Sequence, residues 1–246
     1  MIKFFLATFF FTVLFSHQIE DIPNWKKYFR TSYIVNESHD YGLGGYFRVK
    51  RTTRYTFKDL RVYLHFIEGE SYKKIRYKDS SKFREWESFY NYTTVSIDQN
   101  SKIGVNLRYH GNQGVGLFIK KLNKGHINAE FGLAYDISDY LNDSAKTSYL
   151  KSAIYYDQEF SDYEIKFEIE NYRQITDIIT EDLSRTEILF EAYFPIRENI
   201  RLILGYEYED FSNSNNSINS SVFLSISYYD FFSFDKSIKD YFSFEL

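Results

Sequence analysis

Apolar and charged residues alternate along the stretch DYEIKFEIENY, which runs from Asp162 to Tyr172. Apolar residues such as Ile165 and Phe167 occupy every second position, and charged residues occupy most of the positions between them. Residues two apart share one face of a β-strand but lie on nearly opposite sides of an α-helix. The stretch therefore predicts a strand with one apolar face and one charged face, and it argues against a helix.

The same alternation recurs along the chain, for example in NIRLILGYEYE from Asn199 to Glu209. Of the links between the predicted strands, 69–82, 136–145, 173–185 and 210–217 are long, and most of the others are short. Long loops at one rim and tight turns at the other are typical of outer-membrane barrels. We predict twelve strands, at 28–36, 42–52, 59–68, 83–95, 102–110, 114–122, 126–135, 146–157, 162–172, 186–194, 199–209 and 218–229.

A half-apolar strand fits either a secreted β-sandwich, with its apolar face toward a core, or a membrane barrel, with that face toward lipid. The predicted strands are about nine to thirteen residues long, which suits a tilted bilayer crossing. Aromatic residues gather near strand ends, at Tyr28–Phe29, Tyr135, Tyr140, Tyr163, Phe194, Phe211 and Tyr228–Tyr229, as interfacial girdles do. We therefore predict an all-β fold, a transmembrane antiparallel up-and-down β-barrel of about 12 strands and of outer-membrane type.

The N-terminus, MIKFFLATFFFTVLFS, combines Lys3 with an apolar run from Phe4 to Phe15 and a small residue, Ser16. This is the layout of a secretory signal peptide, with an uncleaved membrane tether as the alternative. The chain has no Cys, so it forms no disulfide. We predict a signal peptide over 1–16 and one outer-membrane barrel domain over 17–246, with strands over about 28–232.

Two stretches carry a family resemblance. GVGLFIKKLNKGHINAEFGLAYD, from Gly114 to Asp136, places a Gly-x-Gly-aromatic strand and a tight turn before a strand with Glu, Gly and Tyr. SRTEILFEAYFPIRENIRLILGYEYEDFSNS, from Ser184 to Ser214, looks like a penultimate hairpin with a polar loop. Both resemble the YdiY-like, salt-stress-associated outer-membrane family known as domain of unknown function 481. The resemblance covers about 25–230 and implies an outer-membrane barrel without an established activity or functional residues.

The C-terminal segment 233–246, SFDKSIKDYFSFEL, extends beyond the point where a chain of that family would end. Phe242, Phe244 and Leu246 alternate up to the last residue, as a final barrel strand would. The alternative is that Asn219–Phe232 closes the barrel and the tail lies on the periplasmic side. We favour the second interpretation, because it keeps the number of strands even.

The charged faces of the predicted strands define a set of lumen-lining residues with both signs of charge. Mixed charges in a narrow lumen predict ion pairs that cross it, and a modest acidic excess predicts a weak preference for cations. The set contains Arg48, Lys50, Arg61, Arg108, Glu130, Glu164, Lys166, Glu168, Glu170, Glu187, Glu191, Arg201, Glu207 and Glu209.

Catalytic and metal-binding motifs are weak in this sequence. His39, His65, His110 and His126 are too scattered for a metal signature, and no local Ser–His motif of the kind used by outer-membrane lipases is present. Glu85 and Glu87, in FREWESF, are two apart and would share a strand face, which we interpret as part of the charged lumen. We predict neither catalytic residues, nor metal ligands, nor cofactors.

The predicted function is therefore a structural or narrow-channel barrel of the bacterial outer membrane, and not an enzyme. A barrel enzyme that hydrolyses lipid or peptide at its rim is the alternative. The expected partners are outer-membrane lipids, the barrel-assembly machinery during biogenesis, and small solutes or ions. A formal net charge of −4 argues against nucleic acid.

Overall fold

A computed structural model describes residues 25–101, 105–138, 145–176, 182–212 and 219–232. Among these residues no helix is long and apolar enough to cross a membrane. The strands are β1 (Trp25–Asn36), β2 (Tyr41–Thr52), β3 (Thr56–Ile67), β4 (Glu70–Lys82), β5 (Phe89–Asn100), β6 (Val105–Leu122), β7 (Gly125–Ser138), β8 (Ala145–Glu159), β9 (Glu164–Gln174), β10 (Arg185–Arg197), β11 (Ile200–Phe211) and β12 (Asn219–Phe232).

The twelve strands form a closed antiparallel barrel in which each strand pairs with its neighbours in sequence. The ring closes where β1 pairs with β12, in a register that runs from Trp25 opposite Phe232 to Asn36 opposite Ser221. Closure gives every strand two partners, so no sheet edge remains unpaired. The predicted barrel is thus confirmed, and the alternative of two packed sheets is wrong. β12 is the closing strand, and residues 233–246 lie outside the described part of the chain.

The outside of the barrel is apolar. Large side chains such as Leu43 (63% exposed), Leu133 (61%) and Ile226 (60%) project outward. A soluble protein buries residues of this kind, whereas a membrane barrel presents them to lipid. Aromatic side chains project outward near both ends, including Phe29, Trp86, Phe89 and Phe194 at one end and Tyr41, Phe66 and Tyr109 at the other.

The proposed girdles need a correction at three positions. Tyr28 pairs directly with Arg48, Tyr229 contacts the side chain of Lys26, and Phe211 pairs directly with buried Arg185, all on the inner face. Strand alternation explains this, because Phe29 and Tyr228, the neighbours of Tyr28 and Tyr229 in sequence, then point to lipid. Tyr140 lies outside the described residues.

The predicted number of strands agrees with the structure, although two errors compensate. Residues 69–82 were expected to form a long loop, but Glu70–Lys82 is the strand β4. Conversely, 102–110 and 114–122 were expected to be two strands, and Val105–Leu122 is one strand without a turn at 111–113. The predicted strand at 83–95 begins at Phe89 instead, since 83–88 link β4 to β5.

The two ends of the barrel are named by their links. The turn rim carries the N-terminus of β1 and the links 53–55, 83–88, 123–124, 160–163 and 198–199. The loop rim carries the links 37–40 and 68–69, the C-terminal ends of β5, β7, β9 and β11, and the N-terminal ends of β6, β8, β10 and β12. The predicted links 69–82 and 111–113 fall largely or wholly within strands β4 and β6. The difference in link length between the two rims is therefore smaller than expected.

Aromatic and aliphatic side chains fill part of the interior, beside β1, β10, β11 and β12. Ile34, Tyr193, Ile203 and Phe223 form a buried cluster there. Gly205 makes room for it, because a Cβ atom at this position would lie 1.9 Å from the Phe223 ring. The larger cavity of the lumen is accordingly lined by residues of β2 to β9 and of the link 53–55.

Candidate functional site: the barrel lumen

All the predicted lumen-lining residues lie on the inner face of their strands. On β9, for example, Glu164, Lys166, Glu168 and Glu170 point inward, while Phe167 between them points outward. Arg48, Lys50, Arg61, Glu130, Lys166 and Glu168 line one cavity of the lumen. Arg108, Glu168, Glu170, Glu187, Glu207 and Glu209 line another. Glu191 and Arg201 form ion pairs with Arg30 and Glu164.

The sequence-based set omitted the lumen residues of β4. Lys74, Arg76, Lys78 and Lys82 line the lumen, and they remove the acidic excess that had suggested a preference for cations. The strand was missed because its outward face, which includes Lys73 and Asp79, is polar. Lys74, Arg76 and Lys78, which are basic residues at every second position, are the feature of the sequence that could have identified this strand.

Two ion pairs cross the lumen near the middle of the barrel. Arg61 Nη1 lies 3.8 Å from Glu168 Oε1, and Arg76 Nη2 lies 3.2 Å from Glu170 Oε1. Arg61 is on β3 and Glu168 on β9, half-way round the twelve-stranded ring. These contacts therefore span the barrel and do not join neighbouring strands. We call them the cross-lumen pairs.

Glu130 and Glu170 anchor the cross-lumen pairs to the wall of β7, β8 and β9. Lys151 Nζ lies 3.2 Å from Glu130 and 3.5 Å from Glu170, and its side chain is fully buried. The Tyr155 hydroxyl lies within hydrogen-bonding distance of the same two carboxylates, at 3.0 and 2.7 Å. Lys78 of β4 also pairs with Glu130. Buried carboxylates that share several donors are held in one geometry, which makes this part of the wall rigid.

The arginines are held in the same way on the opposite wall. Asp59, 1% exposed, accepts bonds from Arg48 Nε at 2.6 Å and Nη2 at 3.0 Å, and from Arg61 Nε at 2.6 Å. Bidentate and charge-assisted bonds of this type fix the orientation of a guanidinium group. Arg61 is thus aimed at Glu168 across the lumen.

The cross-lumen pairs stand between two cavities. The loop-side chamber, ≈ 170 Å³, extends toward the loop rim at Asn36, Glu70 and Asn219. The turn-side chamber, ≈ 470 Å³, extends toward the turn rim at Thr53 and Lys82. Both are lined by Arg76 and Glu168. A solute that enters from either rim meets the cross-lumen pairs before it reaches the other chamber.

The two chambers carry opposite signs of charge. Acidic residues prevail in the loop-side chamber, where Glu70, Glu168, Glu170, Glu187, Glu207 and Glu209 face Lys74, Arg76 and Arg108. Basic residues prevail in the turn-side chamber, where Arg48, Lys50, Arg61, Arg76, Lys78, Lys82 and Lys166 face Glu130, Asp157 and Glu168.

His110 is the histidine with the most developed hydrogen bonding. Its Nδ1 contacts the carboxylate of Asp136, and its Nε2 lies 2.8 Å from the amide nitrogen of Asn112. An amide nitrogen only donates, so Nε2 accepts and Nδ1 carries the proton. Both ring nitrogens are occupied, which leaves neither free to accept a proton from a substrate. Asp136 also pairs with Arg185, at 3.3 Å.

The acidic pair of the β4–β5 link does not belong to the lumen, contrary to our interpretation of the sequence. Residues 83–88 lie at the turn rim, where Glu87 pairs with exposed Arg54 at 3.0 Å. The expected strand at 83–95 would have aligned Glu85 with Glu87, but β5 begins only at Phe89. Across the described parts of the chain, no group of three or more His, Asp or Glu residues is arranged to hold a metal ion.

Comparisons with known proteins identify the fold. The NanC porin superposes with a TM-score of 0.58 at 11% sequence identity, covering 81% of this chain and 98% of that one. The KdgM porin gives a TM-score of 0.50 at 10% identity, covering 82% and 98%. No family model and no curated protein sequence matches the chain. The barrel therefore has the architecture of outer-membrane porins, and the resemblance to domain of unknown function 481 stays a prediction.

Proposed function

We propose that the chain is an outer-membrane barrel that lets small ions pass and excludes larger solutes. The cross-lumen pairs carry this proposal, because Arg61–Glu168 and Arg76–Glu170 obstruct the lumen between the two chambers. Twelve strands enclose a lumen between those of filled barrels with about eight strands and open porins with about sixteen. Water and ions can pass such a lumen only through the gaps beside the paired side chains.

The inner wall favours this role over that of a rim enzyme. The ring nitrogens of His110 are both engaged, and Glu87 forms an exposed ion pair with Arg54. Buried ion pairs add little net stability compared with apolar residues of similar size. Their concentration in the lumen therefore supports a role in limiting passage.

We expect small single-channel currents when the purified, refolded protein is inserted into planar lipid bilayers. Both signs of charge line the lumen, so the reversal potential in a salt gradient should show little overall selectivity. The same protein, heat-denatured before addition, is the control. Large, porin-sized currents would contradict an obstructed lumen, and a folded barrel that passes no current would contradict conduction.

The apolar exterior and the N-terminal segment support a location in the outer membrane. Exposed residues such as Leu43, Leu133 and Ile226 require a lipid partner, and export would rest on the predicted signal peptide at 1–16. Outer-membrane lipids and the barrel-assembly machinery are then the partners.

In a Gram-negative host, we expect the protein to fractionate with the outer membrane and to stay there during carbonate extraction. A barrel with an apolar exterior is held by lipid and not by charge, so neither high salt nor high pH should release it. A peripheral protein of the same fraction, released by carbonate, is the control. Recovery of the folded chain in the soluble periplasm would contradict this location.

A further inference from the structure

The separation of charge along the lumen has an electrical consequence that rests on the proposed conduction. An aqueous cavity lined by one sign of charge concentrates ions of the opposite sign. The loop-side chamber should therefore hold mainly cations and the turn-side chamber mainly anions. The two populations meet at the cross-lumen pairs, because Arg76 and Glu168 line both chambers.

Each chamber keeps an excess of one sign of charge when the residues that form ion pairs are left out of the count. In the turn-side chamber, Lys50 and Lys82 have no carboxylate within salt-bridge distance among the residues that the structure describes, against one unpaired carboxylate, Asp157. In the loop-side chamber, Glu70 and Glu209 have no basic side chain within that distance among the described residues, Glu207 approaches only His65, at 4.0 Å, and Lys74 is the one basic side chain of the chamber without a carboxylate partner. The surplus charge is thus positive toward the turn rim and negative toward the loop rim.

The arrangement of strands β1 and β2 supports the basic character of the turn-side end. Lys26 and Lys50 are direct partners in the β1–β2 ladder, both on the inner face. Like charges directly opposite one another destabilise a strand pair. Lys26 Nζ lies 3.9 Å from the centre of the Tyr229 ring, a cation–π contact that compensates in part. The barrel thus keeps two lysine side chains, neither within salt-bridge distance of a carboxylate among the described residues, side by side at the end where the turn-side chamber opens.

We propose that the lumen is a bipolar channel, in which an acidic chamber and a basic chamber in series make the ion current rectify. With the loop rim positive, cations enter from the loop rim and anions from the turn rim, and both accumulate at the cross-lumen pairs. With the opposite polarity, cations and anions are both drawn away from the cross-lumen pairs, and the lumen there becomes depleted of ions. The current should therefore be larger when the loop rim is positive.

Single-channel recording tests the proposal at equal and opposite voltages. We expect the two currents to differ roughly twofold or more at about 0.1 M salt, and the difference to shrink at about 1 M, where the screening length falls from about 10 to about 3 Å. Orientation can be assigned because the chain has no cysteine. Lys124→Cys at the exposed β6–β7 turn, biotinylated before insertion, lets streptavidin block current only from the turn-rim compartment.

Two double substitutions test the contribution of each chamber separately. Lys50→Gln/Lys82→Gln should abolish rectification and shift the reversal potential toward cation selectivity. Glu207→Gln/Glu209→Gln should also abolish rectification, but with a shift toward anions. The matched control Lys124→Gln removes a lysine at the same rim, 60% exposed and paired with Glu159, and should retain wild-type rectification.

The outcomes separate this proposal from conduction itself. Symmetric currents in the wild-type protein at low salt would overturn the bipolar channel and leave small-ion conduction intact. If both chamber variants rectify as the wild type does, the rectification has another cause and the bipolar channel is likewise overturned. Absence of current from protein that is folded by circular dichroism and by heat-dependent gel mobility would overturn both proposals.

Discussion

A variant without the cross-lumen side chains, Arg61→Ala/Arg76→Ala/Glu168→Ala, is expected to conduct several times more current than the wild-type protein. The substitutions remove the charged groups that meet between the chambers and join the ≈ 170 Å³ and ≈ 470 Å³ cavities into one passage. Conductance through a short, narrow pore depends most strongly on its constriction. Single-channel amplitudes in planar bilayers measure the change.

The variant is designed so that no buried charge loses all of its partners. Asp59 keeps its two bonds from Arg48, at 2.6 and 3.0 Å. Glu170 keeps Lys151 at 3.5 Å and Tyr155 at 2.7 Å. Truncating only one member of a buried pair would cost about 3–5 kcal/mol, so Glu168 is removed together with Arg61.

The control is Arg54→Ala/Glu87→Ala, which deletes an exposed ion pair at the turn rim. It changes the same kinds of side chain without widening the lumen, and its conductance should match that of the wild type. Equal currents from the cross-lumen variant and this control would show that the constriction lies elsewhere. The proposed route of ions through the two chambers would then be wrong.

The alternation of side chains explains how much of the lumen could be predicted from the sequence. In a strand, the face of a residue depends only on whether its position is odd or even, so Glu168 and Glu191 could be placed inside before the neighbours of β9 and β10 were known. The prediction failed where this pattern is weak. β4 has polar residues on both faces, and its omission removed four basic side chains, Lys74, Arg76, Lys78 and Lys82, from the expected lumen.

The continuity of β6 was missed for a different reason. Gly111 and Asn112 are residues typical of turns, but here Gly111, Asn112 and Gln113 continue the pairing with β5 and β7. Asn112 points inward, toward His110, and Gln113 lies on the outer face. Tertiary pairing on both sides of the strand overrides the local preference for a turn, as it often does in sheets.

Contacts across the lumen could be predicted neither from the alternation of side chains nor from local turn preferences. Whether Arg61 meets Glu168 depends on the stagger of all the strands between β3 and β9, and a shift of one ladder position moves a side chain along the axis. The division into an acidic and a basic chamber also depends on this stagger, because the stagger decides which inward residues lie at the same position along the barrel axis. The sequence predicted both signs of charge but not their separation.

The replacement Leu224→Arg, on the lipid-facing side of β12, is expected to destabilise the barrel by about 2–4 kcal/mol. Leu224 is 49% exposed and pairs with Leu204, which is 46% exposed, in the central part of the β11–β12 ladder. An arginine at this depth must carry its charge into hydrocarbon or distort the bilayer to reach water. Unfolding by urea in lipid vesicles, followed by tryptophan fluorescence, measures the loss.

Ser220→Arg is the matched control for depth, because Ser220 faces outward on the same strand at the loop rim and pairs with Tyr208. An arginine near the interface costs only about 0–1 kcal/mol, and Glu37, whose carboxylate accepts a bond from the Ser220 amide at 2.9 Å, lies close enough to pair with it. The two variants add the same charge to the outer face of the same strand at different depths in the membrane. Equal losses of stability at Leu224 and Ser220 would mean that the central band of the exterior does not contact lipid.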